Sequence, residues 1–229
     1  MKFASENDGS PMTVVAAIMA KALYRALPKN KLPLRIETNH NYRAEVGCPK
    51  THHDLLSHIF LLVPHHAQEW PIDRICTVLR GSTYVQTQPE YAYETLRRFY
   101  DYTDIVDGVK GLKNKNKYAS KYSHRVPDVH NSVLINYVGR EDWGTMTEYV
   151  ERVHIITDAH LLFEISDVGD NFCISLMQMN RKTKYINCFC QILKEENIPY
   201  KMHGVFNNHL PISKVESAPI AEHFKSKTN

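Results

Sequence analysis

Residues 160–196 read HLLFEISDVGDNFCISLMQMNRKTKYINCFCQILKEE. Residues 160–166 and 171–178 are apolar, β-branched and aromatic enough for strands, and Val168-Gly169-Asp170 supplies a turn between them, so a hairpin is predicted. A helix over 183–196 follows, because Ile186, Phe189, Cys190 and Leu193 recur at three and four residues and Asn197 and Pro199 end the run. Upstream, Thr145 and Glu148 have capping-box spacing, with Met146, Tyr149, Val150 and Val153 on one helical face. Downstream, 200–206 and 209–213 read as two short strands. The resulting order, helix-strand-strand-helix-strand-strand, predicts an α+β fold: an antiparallel sheet faced by helices.

Working outward to the N-terminus, Ser10-Pro11 is an N-cap followed by proline at the first helical position. A helix over 12–27 is predicted, with Val15, Ile18, Met19, Ala22, Leu23 and Ala26 as its buried stripe. Residues 32–38 and 42–46 alternate around Asn39-His40-Asn41 and read as a hairpin. Residues 52–63 read as a short helix stopped by Pro64, 72–80 as a second, 82–87 as a strand, and the stretch from Pro89 to about 106 as a longer helix. Residues 131–138 read as a buried strand. The expected organisation is a helix-rich α+β portion at 10–106, a basic loop or linker at 107–128, and a C-terminal α+β portion at 129–229.

The chain has 229 residues, 43% of them apolar, which suffices for a substantial core. Its net charge is +3, yet six cations fall within 110–125, KGLKNKNKYASKYSHR. Removing them leaves the rest of the chain at 3 − 6 = −3, so the basic character is local. The five cysteines are odd in number and no apolar leader precedes the first predicted helix, which fits a reducing, intracellular compartment. No apolar run approaches the roughly 20 residues needed to span a bilayer. Without GxSxG, a glycine-rich phosphate loop or GxGxxG, there is no support for hydrolases of that type, P-loop NTPases or Rossmann dehydrogenases.

Two kinds of site suggest themselves. Lysines spaced two to four apart in a loop can follow a phosphate backbone, and tyrosines can stack on bases. The nucleic-acid-binding set is Lys110, Lys113, Lys115, Lys117, Tyr118, Lys121, Tyr122 and Arg125. The second set would hold a divalent metal ion for a nuclease or phosphoesterase. On a helix Asp54 and His58 share a face, with His66 and Glu69 close behind. Asp128 with His130 and Asp158 with His160 repeat an Asp-x-His spacing that puts both side chains on one side of an extended segment, as in dinuclear phosphoesterases.

The stretch Ile155-Ile156-Thr157-Asp158-Ala159-His160, leading into a hairpin and a helix, is faintly similar to the LAGLIDADG homing-endonuclease half-domain. That resemblance implies a DNA-binding relative, with His160 standing where the family has a metal-binding acid. From the lysine- and tyrosine-rich segment, the leading expectation is an intracellular nucleic-acid-binding protein, with a metal-dependent nuclease or phosphoesterase as the alternative. A third is a non-catalytic, homo-oligomeric assembly or adaptor protein of viral type.

Overall fold

The computed structural model describes residues 2–123, 132–140, 144–154, 161–169, 171–178 and 183–203. Residues 1–192 make one compact unit and residues 193–229 a second. In chain order the helices are α1 (Lys2–Glu6), α2 (Pro11–Ala26), α3 (Ile72–Gln86), α4 (Pro89–Gly108), α5 (Leu112–Ser123) and α6 (Lys184–Glu195). The strands are β1 (Leu34–Asn41), β2 (Leu56–Val63), β3 (Val133–Arg140), β4 (Leu161–Val168) and β5 (Asn171–Gln178). Short 3-10 turns occupy His65–Glu69 and Gly144–Glu148.

The strands form a single sheet in the order β2-β1-β3-β4-β5. β1 with β2 and β4 with β5 are antiparallel, but β1 with β3 and β3 with β4 are parallel. This corrects the predicted antiparallel sheet. A parallel pair cannot be closed by a tight turn and needs a crossover of a dozen or more residues. Here α3, α4 and α5 lie between β2 and β3. Strand alternation reports which face is buried and carries no information on strand direction.

α2 starts as expected: Thr13 N–H donates to Ser10 Oγ, Ser10 N–H donates to Thr13 Oγ1, and Pro11 occupies the first turn. Twelve of its 16 residues are buried. An apolar surface nearly all round belongs to a helix inside the protein, and alanine at 16, 17, 20, 22 and 26 lets neighbours approach closely. Tyr24 ties it to the sheet, its hydroxyl donating to Val63 O at 2.8 Å and accepting from Leu34 N–H at 3.2 Å.

On the helix-facing side, Ile36 lies opposite Leu61 and beside Val133, while Ile135 pairs with Phe163. All five are buried, and Phe163 meets Phe189 of α6 at 5.2 Å between ring centroids. β2 is an edge strand, and its Phe60 is paired on the outer side by a side chain. Gln86, at the end of α3, accepts from Phe60 N–H at 2.9 Å and donates to Phe60 O at 2.8 Å.

Several local expectations change. Residues 56–63 are strand β2 instead of the end of a helix, because Ile59, Leu61 and Val63 alternate inward and pair with β1. Tyr42, expected on a second hairpin strand, is fully buried in a turn, and its hydroxyl donates to Gln86 O at 2.9 Å. Residues 82–86 continue α3, and the basic segment forms helix α5 in place of a loop. The helix expected from Thr145 is only the 3-10 turn. Residues 200–203 are not strand, and 204–213 lie outside the described residues. The β4–β5 hairpin, with Gly169 at φ +58°, and α6 are as expected. In the second unit, Asn197 at φ +55° follows the helix end, and Ile198 N–H donates to Leu193 O at 2.8 Å.

Candidate functional site

The sheet face away from Ile36 and Phe163 carries polar side chains, an unusual choice for central strands. Strand alternation puts Arg35 and Glu37 of β1 on it beside His58 and Phe60 of β2, since Glu37 pairs with Phe60 and Asn39 with His58. His58 Nδ1 lies 2.8 Å from Glu37 Oε1, a diagonal cross-strand contact. The two side chains differ in setting: Glu37 is 10% exposed, His58 54%. A buried carboxylate thus fixes a ring whose other nitrogen can meet a ligand.

The hydrogen bond to Glu37 raises the His58 pKa above the ordinary imidazole value, against an opposing effect of burial. The Arg35 guanidinium lies over the Phe60 ring, 3.7 Å from its centroid. Burial lowers the Arg35 pKa, and the charge of Glu37 works the other way.

Further along the same face, Asn136 of β3 pairs with Glu164 of β4, and Nδ2 donates to Oε2 at 2.9 Å. Burial raises the Glu164 pKa, and the bond from Asn136 opposes it. Ser175 of β5 lies opposite Glu164 and is 2.9 Å from His154 Nδ1 through its hydroxyl. Ser166 donates to Val153 O at 2.6 Å, so residues 153–154 are tied along β4 and β5. The row therefore offers one carboxylate-held imidazole, one amide-held carboxyl and one serine hydroxyl hydrogen-bonded to imidazole. Such groups can move protons and hydrogen-bond a polar ligand group.

The sequence-derived sites are arranged differently. Asp54 and His58 do not share a helix face: Asp54 Oδ1 accepts from Leu56 N–H in a turn, and His58 belongs to β2. His66 packs edge-on against Trp70 at 5.1 Å, and Glu69 ends the same 3-10 turn. Among the described residues no three of His, Cys, Asp and Glu come together to hold a metal ion. Asp128, His130, Asp158 and His160 lie outside the described residues, as does the stretch likened to the homing endonucleases.

Lys113, Lys115, Lys117, Tyr118 and Lys121 are on α5, Lys110 in the turn before it, and Tyr122 on its last turn; Arg125 lies outside the described residues. Lys115 is held by Asp107 at 3.1 Å. Glu37 was missed altogether. A charged residue in a short strand gives no sign of burial, and its partner is 21 positions away in the sequence.

No family model matches the chain, and no curated protein matches it. Solved structures do match. A structure titled PapA2 acyl transferase aligns with a TM-score of 0.53 at 11% identity, covering 84% of this chain. The chain spans 40% of the length of that protein. At this identity the likeness concerns the fold alone, an acyltransferase-like one. It overturns the nucleic-acid-binding expectation and its nuclease and viral alternatives: what the comparisons return is an acyltransferase-like neighbour, and the basic loop on which the leading reading stood is a helix. No helix among the described residues is long and apolar enough to cross a membrane.

Proposed function

We propose that the chain contributes an acyl-transfer site in which His58, oriented by Glu37, is the general base. The observation that carries the reading is the 2.8 Å contact between His58 Nδ1 and Glu37 Oε1, with the carboxylate buried and the ring half exposed. The fold shared with an acyl transferase supports it. With Nδ1–H donated to Glu37, Nε2 carries the free electron pair. Nε2 takes the proton of an acceptor hydroxyl as that oxygen attacks the carbonyl of an acyl thioester. The new C–O bond forms, the C–S bond breaks, and the proton passes from His58 to the leaving thiolate. Glu37 holds the tautomer and stabilises the imidazolium formed on the way.

The test uses an acyl thioester with a simple alcohol, following thiol release and ester formation. H58A is expected to lose on the order of 10²-fold or more in rate. E37Q should lose less and shift the midpoint of the pH–rate profile downward, because the bond to the carboxylate is what raises the His58 pKa. Equal rates for wild type and H58A would refute the assignment.

A further inference from the structure

The polar sheet face holds a second pair of reactive side chains, which the reaction assigned to His58 does not use. Ser175 Oγ lies 2.9 Å from His154 Nδ1, within reach for proton transfer between a hydroxyl nucleophile and a base. Residues 151–154, which carry the histidine, have no regular structure of their own and are fastened to the β4–β5 hairpin by its side chains. Asn171 Nδ2 donates to Glu151 O at 3.0 Å, and the buried Ser166 hydroxyl donates to Val153 O at 2.6 Å. The second of these bonds is made at the residue just before His154, so the imidazole is brought to Ser175 on an anchored chain and little freedom is left to lose when it takes a proton.

β5 is an outer strand of the sheet, Ser175 is half-buried on it and His154 is exposed, so a carbonyl group can reach the pair from solvent. Directly across the β4–β5 ladder stands Glu164, 5% exposed, with Oε2 held by Asn136. Burial favours the uncharged form of that carboxyl, which lessens its repulsion of the oxyanion formed when a hydroxyl attacks a carbonyl. The next pair along the same face, Leu162 with Met177, is apolar. We infer that Ser175 is a nucleophile activated by His154, and that the chain hydrolyses esters or thioesters of small uncharged acyl groups through an acyl-serine. With the ring proton on Nε2, Nδ1 takes the hydroxyl proton as Oγ attacks the carbonyl carbon. The Oγ–C bond forms, the bond to the leaving alkoxide or thiolate breaks, and the imidazolium returns its proton to that group. Water then attacks the acyl-serine and gives a proton to His154; the Oγ–C bond breaks, the acid leaves, and the proton goes back to Oγ.

The probe is a biotin-tagged alkyl fluorophosphonate, which loses fluoride as it bonds to an activated serine hydroxyl, applied to the full chain and located by fragment mass spectrometry. Labelling at Ser175 is expected, with the H154Q chain labelled on the order of 10²-fold more slowly. Wild type should turn over p-nitrophenyl acetate, and both S175A and the fully labelled wild type should lose that turnover. His154 is exposed and S175A removes a single oxygen, so both variants should keep the wild-type circular dichroism spectrum. Labelling requires neither Glu37 nor a thioester, so this inference and the His58 assignment fail on different results. No label on Ser175, equal labelling rates for wild type and H154Q, or undiminished p-nitrophenyl acetate turnover after complete labelling would each overturn the inference.

Discussion

Replacing Gln86 with leucine removes both hydrogen bonds that a side chain makes to the outer edge of β2. In the wild type Oε1 accepts from Phe60 N–H at 2.9 Å and Nε2 donates to Phe60 O at 2.8 Å; Nε2 also approaches Ser82 O at 3.2 Å. Gln86 is 9% exposed, so leucine of similar volume fits without a large cavity. What is lost is satisfaction of one backbone donor and one backbone acceptor. Each unsatisfied buried group costs about 1–3 kcal/mol. Phe60 is only half-buried, so water recovers part of this, and a net loss of about 2–4 kcal/mol is expected.

Urea unfolding followed by far-UV circular dichroism measures the loss as a lower midpoint with an unchanged slope. For a chain of this size it corresponds to a melting temperature lower by roughly 5–15 °C. Q86E at neutral pH keeps an acceptor for Phe60 N–H but sets a nearly buried carboxylate oxygen against the carbonyls of Phe60 and Ser82, so it should lose at least as much as Q86L. A change below about 0.5 kcal/mol in Q86L would refute the reasoning, for it would mean that water replaces the glutamine at no cost.

Two further outcomes follow from other sites. His58 has a raised pKa when folded, so its pair with Glu37 contributes stability that is complete below the unfolded imidazole value, about 6.5, and is lost as pH rises through the higher folded value. The stability gap between wild type and H58Q should therefore be wider at acid pH than at alkaline pH, by no more than about 1 kcal/mol because the ring is half exposed; a gap that widens with rising pH would contradict this. At Gly9 an added Cβ would lie 2.6 Å from Val14 Cγ2 and 3.2 Å from Cys76 Sγ, so G9A should destabilise by about 1–3 kcal/mol in thermal melts, and an unchanged melting temperature would show that the start of α2 can shift freely.

Elements held by local signals were legible. Ser10-Pro11 announced α2, the three-and-four spacing through Ile186 and Leu193 announced α6, and Gly169 marked the β4–β5 turn. Elements decided by distant partners were not. Residues 52–63 read as a short helix stopped by Pro64, but the spacing of two between Ile59, Leu61 and Val63 is a strand period, realised only because β1, more than 20 residues earlier, pairs with them. The stretch between the two strands holds Tyr42, whose ring fills a cluster with Ile59, Ala92 and Leu96, and a buried aromatic inside a turn has no sequence signature.

The basic segment misled in another way. Its alternating Lys and Asn read as a solvated loop, but lysine is a good helix former, and Asp107 reaching Lys115 across the Gly111 turn, at φ +80°, ties the start of a helix to α4. At the candidate site His58 stood out as a histidine but was given the wrong company. Asp54 is near it in sequence, while the carboxylate that holds it, Glu37, is brought alongside by the register of two strands.

The parallel centre of the sheet also bears on how the chain reaches this state. β1 and β2 are separated by 14 residues and β4 and β5 by two, so both outer pairs can form soon after collapse. β3 can slot between β1 and β4 only after the chain has laid down α3, α4 and α5, a detour of 69 residues from the end of β2 to the start of β3. Closing so long a loop is entropically slow, and ladders of this kind lower folding rates. During that interval the inner edges of β1 and β4 stand open, with their N–H and C=O groups unmatched, as templates for a strand of another chain. Productive folding is then a race between the arrival of β3 and intermolecular strand pairing, and dilution favours β3.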